Sequence, residues 1–93
     1  MEVSADMMAD RMKLLDLWVR VDHYCYGMTD IGAGNVGPVI EQELREFLES
    51  MQLKLEVLRD RRYRTRVIQN AISWTNSIIW YGEYNLRRLN DNH

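Results

Sequence analysis

The sequence predicts an all-α protein, a small antiparallel three-helix bundle. Residues 4–26 and 39–81 contain neither glycine nor proline, and apolar residues recur in both at the three-to-four spacing of one helix face. Four of the five glycines and the single proline fall between residues 27 and 38. Ninety-three residues make one domain at most, so we expect one helical domain over 1–93 with a glycine-rich loop at 27–37.

Helix 1 is predicted near 4–26, because Ser4 is a good N-cap and Asp6 suits the first turn. Its apolar arc is about 200° wide, well beyond that of a simple surface helix. One side carries Met8, Met12, Leu15 and Val19, and the adjoining side carries Leu14, Trp18, Val21 and Cys25. We therefore expect helix 1 to contact two other helices, or one helix and another chain.

Helix 2 is predicted near 38–59, with Pro38 at N1, its first helical position. Its apolar face follows the 4-3-4-3 spacing typical of helices that pack side by side. That seam is Leu44, Leu48, Met51, Leu55 and Leu58, and the outer side carries Glu41, Glu43, Glu46, Glu49 and Glu56. Leu53 and Val57 form a second, smaller apolar strip on the opposite side.

Residues 59–66 separate helix 2 from helix 3, which is predicted near 66–89. The later apolar face is Val67, Ile68, Ala71, Trp74, Ile78, Leu86 and Leu89. A straight helix would place this face about 160° from that of helix 2. A break within 59–66 is favoured, with Asp60 or Thr65 as the new cap, over one long kinked helix.

The charge is unevenly distributed. Residues 1–58 carry five Lys or Arg against eleven acids, whereas residues 59–93 carry seven Arg against three. This asymmetry fits head-to-tail self-association or an acidic or phosphate-bearing partner. A chain this short buries a small core, so we expect a homo-oligomer, a dimer or larger.

The lone Cys25 excludes a disulfide framework, and no run of 18 apolar residues suggests a membrane span. The acidic N-terminus is unlike a signal peptide, so we expect a cytoplasmic protein with no membrane partner. His23 and Cys25 are two residues apart and do not share a helix face, and His93 is terminal. We expect no catalytic residues, no metal site and no cofactor, and hence no enzyme.

Residues 32–37 match the glycine motif G-x-G-x-x-G literally. The dinucleotide-binding motif requires a preceding strand and a second parallel strand, and neither is predicted here. A flexible loop before helix 2 is the favoured interpretation. An anion site at the helix N-terminus is the alternative, although Glu41 and Glu43 oppose it.

Two groups of residues are candidate binding sites. The first is an arginine patch, with one tyrosine that could stack on a base: Arg59, Arg61, Arg62, Tyr63, Arg64 and Arg66. Because the chain is acidic overall, pairing of these arginines with the glutamates of helix 2 or of another subunit is favoured over nucleic-acid binding. The second group is a candidate interface: Trp74, Trp80, Tyr81 and Tyr84. Plain packing of these rings is the competing interpretation.

The surplus of interface-type residues without a catalytic constellation predicts a non-enzymatic interaction protein. We expect a small regulator or inhibitor that occludes a protein partner of unknown identity. Small aromatic-rich helical chains without motifs are common among viral and phage accessory proteins. By analogy, we expect a protein of that type. The alternatives are a protein that binds nucleic acid or a nucleotide through the arginine patch, and a component of a structural assembly.

Overall fold

The computed structural model describes residues 3–27, 36–62 and 65–91, with side chains from residue 6 onward. Helix α1 spans Val3–Cys25, α2 spans Val36–Arg59 and α3 spans Arg66–Asp91. Each helix contacts both others, and no strand occurs within the described ranges. The all-α, three-helix prediction is confirmed. Cross-helix contacts show that α1 and α3 are parallel and that α2 is antiparallel to both.

The helix ends follow local chemistry. After α1, Gly27 has a φ of 69°, and its N–H donates to the carbonyl of Tyr24 at 3.3 Å. This left-handed backbone conformation favours glycine at a helix end. Helix α2 begins at Val36, two residues before the predicted start, which the first turn permits because its N–H groups need no helical acceptor. Pro38 is therefore the third residue of α2 rather than the first, and still lies within the first turn.

The chain breaks between α2 and α3, as favoured from the sequence. Helix α2 ends at Arg59 and α3 begins at Arg66. The Thr65 hydroxyl accepts a hydrogen bond from the N–H of Ile68 at 3.3 Å, so Thr65 is the N-cap of α3. The reversal lets the apolar faces of both helices meet one core.

The core is built around the seam of α2, whose five predicted residues are all buried. The largest fully buried apolar side chains come from all three helices: Leu17 and Val21 from α1, Ile40, Leu44 and Met51 from α2, and Leu89 from α3. A smaller cluster of Leu58, Ile68 and Ala71 closes the end of the bundle near the α2–α3 connection. This packing confirms the predicted side-by-side contact of α2.

The buried face of α3 differs from the predicted one. Val67 and Trp74 are exposed, whereas the polar residues Thr75 and Asn85 are buried. Thr75 is tolerated because its hydroxyl donates to the carbonyl of Ala71 at 2.7 Å. The buried face is therefore rotated from the stripe that hydrophobicity alone predicts.

Gly82 is buried in the contact between α3 and α2. A Cβ atom at this position would lie 2.6 Å from Cδ2 of Leu48, so the absence of a side chain allows the two helices to approach closely. Gly82 therefore lies at a point of close approach between α3 and α2.

Ion pairs of Arg20 and Lys54 join α1 to α2. Arg20 hydrogen-bonds Glu43, and Nζ of Lys54 lies 2.6 Å from a carboxylate oxygen of Asp10. The hydrogen bond from Arg20 lowers the pKa of the Glu43 carboxyl, and the same bond raises the pKa of the Arg20 guanidinium. These pairs help to set the position of α1 along α2, and with it the outward face of α1.

Candidate functional site

Four rings form an aromatic cluster across α1 and α3, namely Trp18, Trp80, Tyr81 and Tyr84. Tyr81 lies on the α1 side of α3, where its ring centroid is 5.3 Å from that of Trp18. The Trp80 ring meets Tyr81 edge-on at 5.0 Å and lies parallel to Tyr84 at 6.2 Å. Trp18 also contacts Tyr84, at 6.1 Å. Because each ring contacts at least two others, the cluster is held in one arrangement.

The aromatic cluster is part of the surface. Trp80 is 58% exposed, and Tyr81 and Tyr84 are 42% and 38% exposed. Trp18 is half-buried and joins these rings to the core. Large aromatic rings that are ordered yet open to solvent are typical of binding hot spots, since little side-chain entropy is lost when a partner covers them.

Arg88 borders the cluster and carries a fixed positive charge. Its guanidinium lies 5.7 Å from the Tyr84 ring, 2.7 Å from a carboxylate oxygen of Asp22 and 3.1 Å from the side-chain oxygen of Asn85. Burial opposes the charged form, but the hydrogen bond and charge of Asp22 outweigh it, so the pKa of Arg88 is raised. The ring of Tyr26 lies on the same guanidinium at 6.0 Å.

Trp74 lies two helical turns before Tyr81 on the same side of α3. The guanidinium of Arg11 lies 5.3 Å from its ring, a cation–π contact between α1 and α3. These two residues, together with Met7 and Met8, line a shallow pocket. Trp74 is thus placed beside α1 at the opposite end of this surface from Arg88.

All four residues of the predicted aromatic interface are exposed on α3, and three of them meet in the cluster. Sequence reasoning did not include Trp18 in the interface and placed it only on one of the two apolar sides of α1. Its neighbours in helical spacing, Arg11 at i−7 and Asp22 at i+4, are charged and lie beside it on the helix surface. That pattern could have placed Trp18 at the edge of the buried face.

The arginine patch lies at the end of the bundle where α2 joins α3. Arg59 ends α2, Arg61 and Arg62 follow in the connection, and Arg66 begins α3, all with exposed side chains. Tyr63 and Arg64 lie outside the described residues. Cations at the end of α2 stabilise the negative end of its dipole. On α2 itself, Glu41 pairs with Arg45 and Glu43 pairs with Arg20 of α1.

The structure also places the residues that were considered for catalysis and metal binding. His23 is exposed, and Sγ of half-buried Cys25 lies 4.0 Å from the carbonyl oxygen of Arg88. No group of three or more His, Cys, Asp or Glu side chains converges within the described part of the chain. None of the three helices, over the ranges described, is long and apolar enough to cross a membrane.

Among the described residues, the element that precedes the glycine motif is helix α1 and not the strand that dinucleotide binding requires. Gly32 and Gly34 lie outside the described residues. Gly37 belongs to the first turn of α2, where it packs on the ring of Tyr24. The small size of Gly37 therefore has a packing reason. Comparison with protein families, curated proteins and solved structures found no significant match to this chain.

Proposed function

We propose that this protein is a non-enzymatic interaction protein that binds a protein partner through the aromatic cluster. The observation that carries the proposal is the exposure of Trp80, Tyr81 and Tyr84 in an arrangement fixed by mutual ring contacts. A monomeric core does not need these rings, because the fully buried side chains of the three helices already fill it. A regulator or inhibitor that occludes its partner would use a surface of this kind.

The chemistry of the cluster also indicates what a partner would offer. Trp and Tyr present large apolar faces with a polar edge, and Arg88 adds a fixed positive charge beside Tyr84. A complementary surface would carry apolar side chains opposite the rings and a carboxylate near Arg88. Desolvated aromatic anchors of this type contribute about 2 kcal/mol or more each to binding.

The test is quantitative affinity capture from the native host, with the wild-type protein and a Trp80→Ala, Tyr84→Ala variant as baits. We expect a defined partner to bind the wild type and to be lost, or weakened about 30-fold or more, with the variant. Glu49→Ala, at an exposed site on α2, is the matched control and should retain the partner. Circular dichroism checks that both variants fold. Equal capture by all three baits would overturn the proposal.

A second candidate function is phosphate or nucleic-acid binding at the arginine patch. It is favoured by the exposure of Arg61, Arg62 and Arg66 at one end of the bundle. Titration of a fluorescent oligonucleotide across a salt series should then give an affinity that falls steeply with salt. Replacing Arg61, Arg62 and Arg64 with glutamate should abolish binding. Absence of binding at low salt, or an affinity independent of salt, would contradict this function.

A further inference from the structure

The side of α1 that faces away from the core is apolar. Met8, Met12, Leu15 and Val19 line it and are 49–66% exposed, and we call them the outer stripe. The opposite side of the same helix carries Leu14, Leu17 and Val21, which are buried in the bundle. Helix α1 thus has two apolar faces, of which the bundle covers one. Exposed apolar residues clustered on one helix side are typical of an interaction surface.

The outer stripe has the spacing of a coiled-coil seam. Its residues are separated by four, three and four positions, which places Met12 and Val19 at heptad position a and Met8 and Leu15 at d. Tyr26, seven residues after Val19, continues the a positions and is also exposed. Asp22 occupies the next d position, but its carboxylate forms an ion pair with Arg88 of α3. The seam therefore fits another helix lying along α1.

The charges beside the outer stripe select the partner. Arg11 precedes Met12 and occupies position g, and Asp16 follows Leu15 and occupies position e. In a parallel pair of helices, g of one chain faces e of the other, five residues further on. A second copy of α1 in parallel therefore pairs Arg11 with Asp16 of the second copy, and symmetry makes this pair twice.

The antiparallel arrangement lacks this match. There g faces g and e faces e, so Arg11 would meet Trp18 or Arg11 of the second copy, and Asp16 would meet no arginine. Both charged residues are within reach of a second chain. Arg11 is exposed at the border of the outer stripe and would leave its cation–π contact with Trp74 to pair across the interface. The Asp16 side chain is 63% exposed, with a 3.9 Å contact to Arg20. Val at a and Leu at d also favour parallel dimers.

We propose that the outer stripe is a dimerisation surface whose occupant is a second copy of this chain, with the two α1 helices packed in parallel about a two-fold axis. Such an interface is isologous, meaning that the same surface of both copies forms it. A single apolar stripe with Arg11 on one flank and Asp16 on the other is therefore complementary to a second copy of itself. The seam from Met8 to Val19 is about 17 Å long. This short length fits a dimer in exchange with the monomer.

Sedimentation velocity over a concentration series tests the interface. We expect the wild type to dimerise, and Met12→Ser, Leu15→Ser to raise the dimer dissociation constant by about tenfold or more while remaining folded, because both side chains are exposed. Leu53→Ser, at an equally exposed apolar site on α2, is the control and should dimerise as the wild type does. A wild type that stays monomeric at millimolar concentration, or a dimer insensitive to the stripe variant, would overturn the proposal.

A charge swap tests the parallel register. Arg11→Glu alone, or Asp16→Arg alone, places like charges opposite each other and should weaken the dimer, whereas the double variant should restore it. A double variant as weak as either single one contradicts the parallel pairing. If the outer stripe binds an unrelated protein, the double variant is not expected to restore binding.

Cysteine cross-linking gives an independent measure of orientation. In a Cys25→Ser background, Leu15→Cys should form an intermolecular disulfide on oxidation, because identical d positions face each other in a parallel pair. Antiparallel helices would instead cross-link a mixture of the Met12→Cys and Leu15→Cys proteins, which would refute the parallel arrangement. The Trp80→Ala, Tyr84→Ala variant should dimerise normally, so failure of this proposal and failure of the proposed function are distinguishable.

Discussion

The ring of Tyr24 packs directly on Gly37, at the point where α1 ends and α2 begins. A Cβ atom on Gly37 would lie 2.6 Å from the Tyr24 hydroxyl oxygen and 2.7 Å from the ring carbon that bears it. Neither distance is possible without a shift, because ordinary contacts begin at about 3.4 Å. The contact ties the loop-side ends of the two helices together.

Gly37→Ala should therefore destabilise the protein. We expect the free energy of unfolding to fall by about 1–3 kcal/mol, the usual cost of overpacking, as measured by urea denaturation. The gain in helix propensity from alanine is small in the first turn. In a Tyr24→Ala background the same substitution should cost little, because the ring is gone. An equal cost in both backgrounds would show that the contact is not the cause.

Glu43 and Arg20 predict a pH-dependent contribution to stability. The folded-state pKa of Glu43 is lowered, so its stabilisation is present above the ordinary carboxyl pKa of about 4.3 and is lost as the pH falls through the lower folded value. Both side chains are about a third exposed, so Glu43→Gln should cost no more than about 1 kcal/mol at pH 7. The difference in the free energy of unfolding between Glu43→Gln and the wild type should be smaller at pH 3 than at pH 7.

The measurement is urea denaturation at both pH values, with Glu49→Gln as the control for a glutamate at an exposed position of the same helix. Because the Arg20–Glu43 pair is partly exposed, 0.5 M salt should also reduce the difference at pH 7. A Glu43→Gln effect that grows as the pH falls would contradict the assigned direction of the pKa shift.

Thr65 predicts a measurable capping contribution to α3. Thr65→Ala removes the oxygen that accepts from the N–H of Ile68 and should lower stability by about 1 kcal/mol. Thr65→Ser keeps the hydroxyl and should unfold close to the wild-type temperature when monitored by circular dichroism. If the alanine and serine variants unfold together, the cap contributes nothing.

Arg88 predicts coupling between Asp22 and Asn85, the two residues that hold its guanidinium. Asp22→Asn and Asn85→Ala should each destabilise the protein, and their combined effect should differ from the sum by about 0.5 kcal/mol or more. In an Arg88→Met background, Asp22→Asn should lower the free energy of unfolding only slightly, because the positive charge that pairs with Asp22 is absent. Chemical denaturation of the full set of variants measures these changes in stability. If the effects of Asp22→Asn and Asn85→Ala simply add, the two residues do not act together in holding Arg88.

The seam of α2 and the break before α3 could be predicted because they follow from local rules. The seam from Leu44 to Leu58 repeats at helical spacing, and Thr65 is a residue type that caps helices. The face of α3 could be predicted only in part. Thr75 and Gly82 are buried for reasons of hydrogen bonding and close approach to Leu48, which a hydrophobic pattern does not contain.

The sequence by itself determined that α1 is apolar over more than one side, that aromatic residues concentrate in α3 and that arginines concentrate near residue 60. Only the tertiary structure decided which side of α1 is covered. That choice depends on long-range contacts such as those of Arg20 with Glu43 and Lys54 with Asp10, which fix the position of α1 against α2. The same packing brought Trp18 beside Tyr81 and left Met12 exposed, because the contacts that a helix face makes depend on its neighbours.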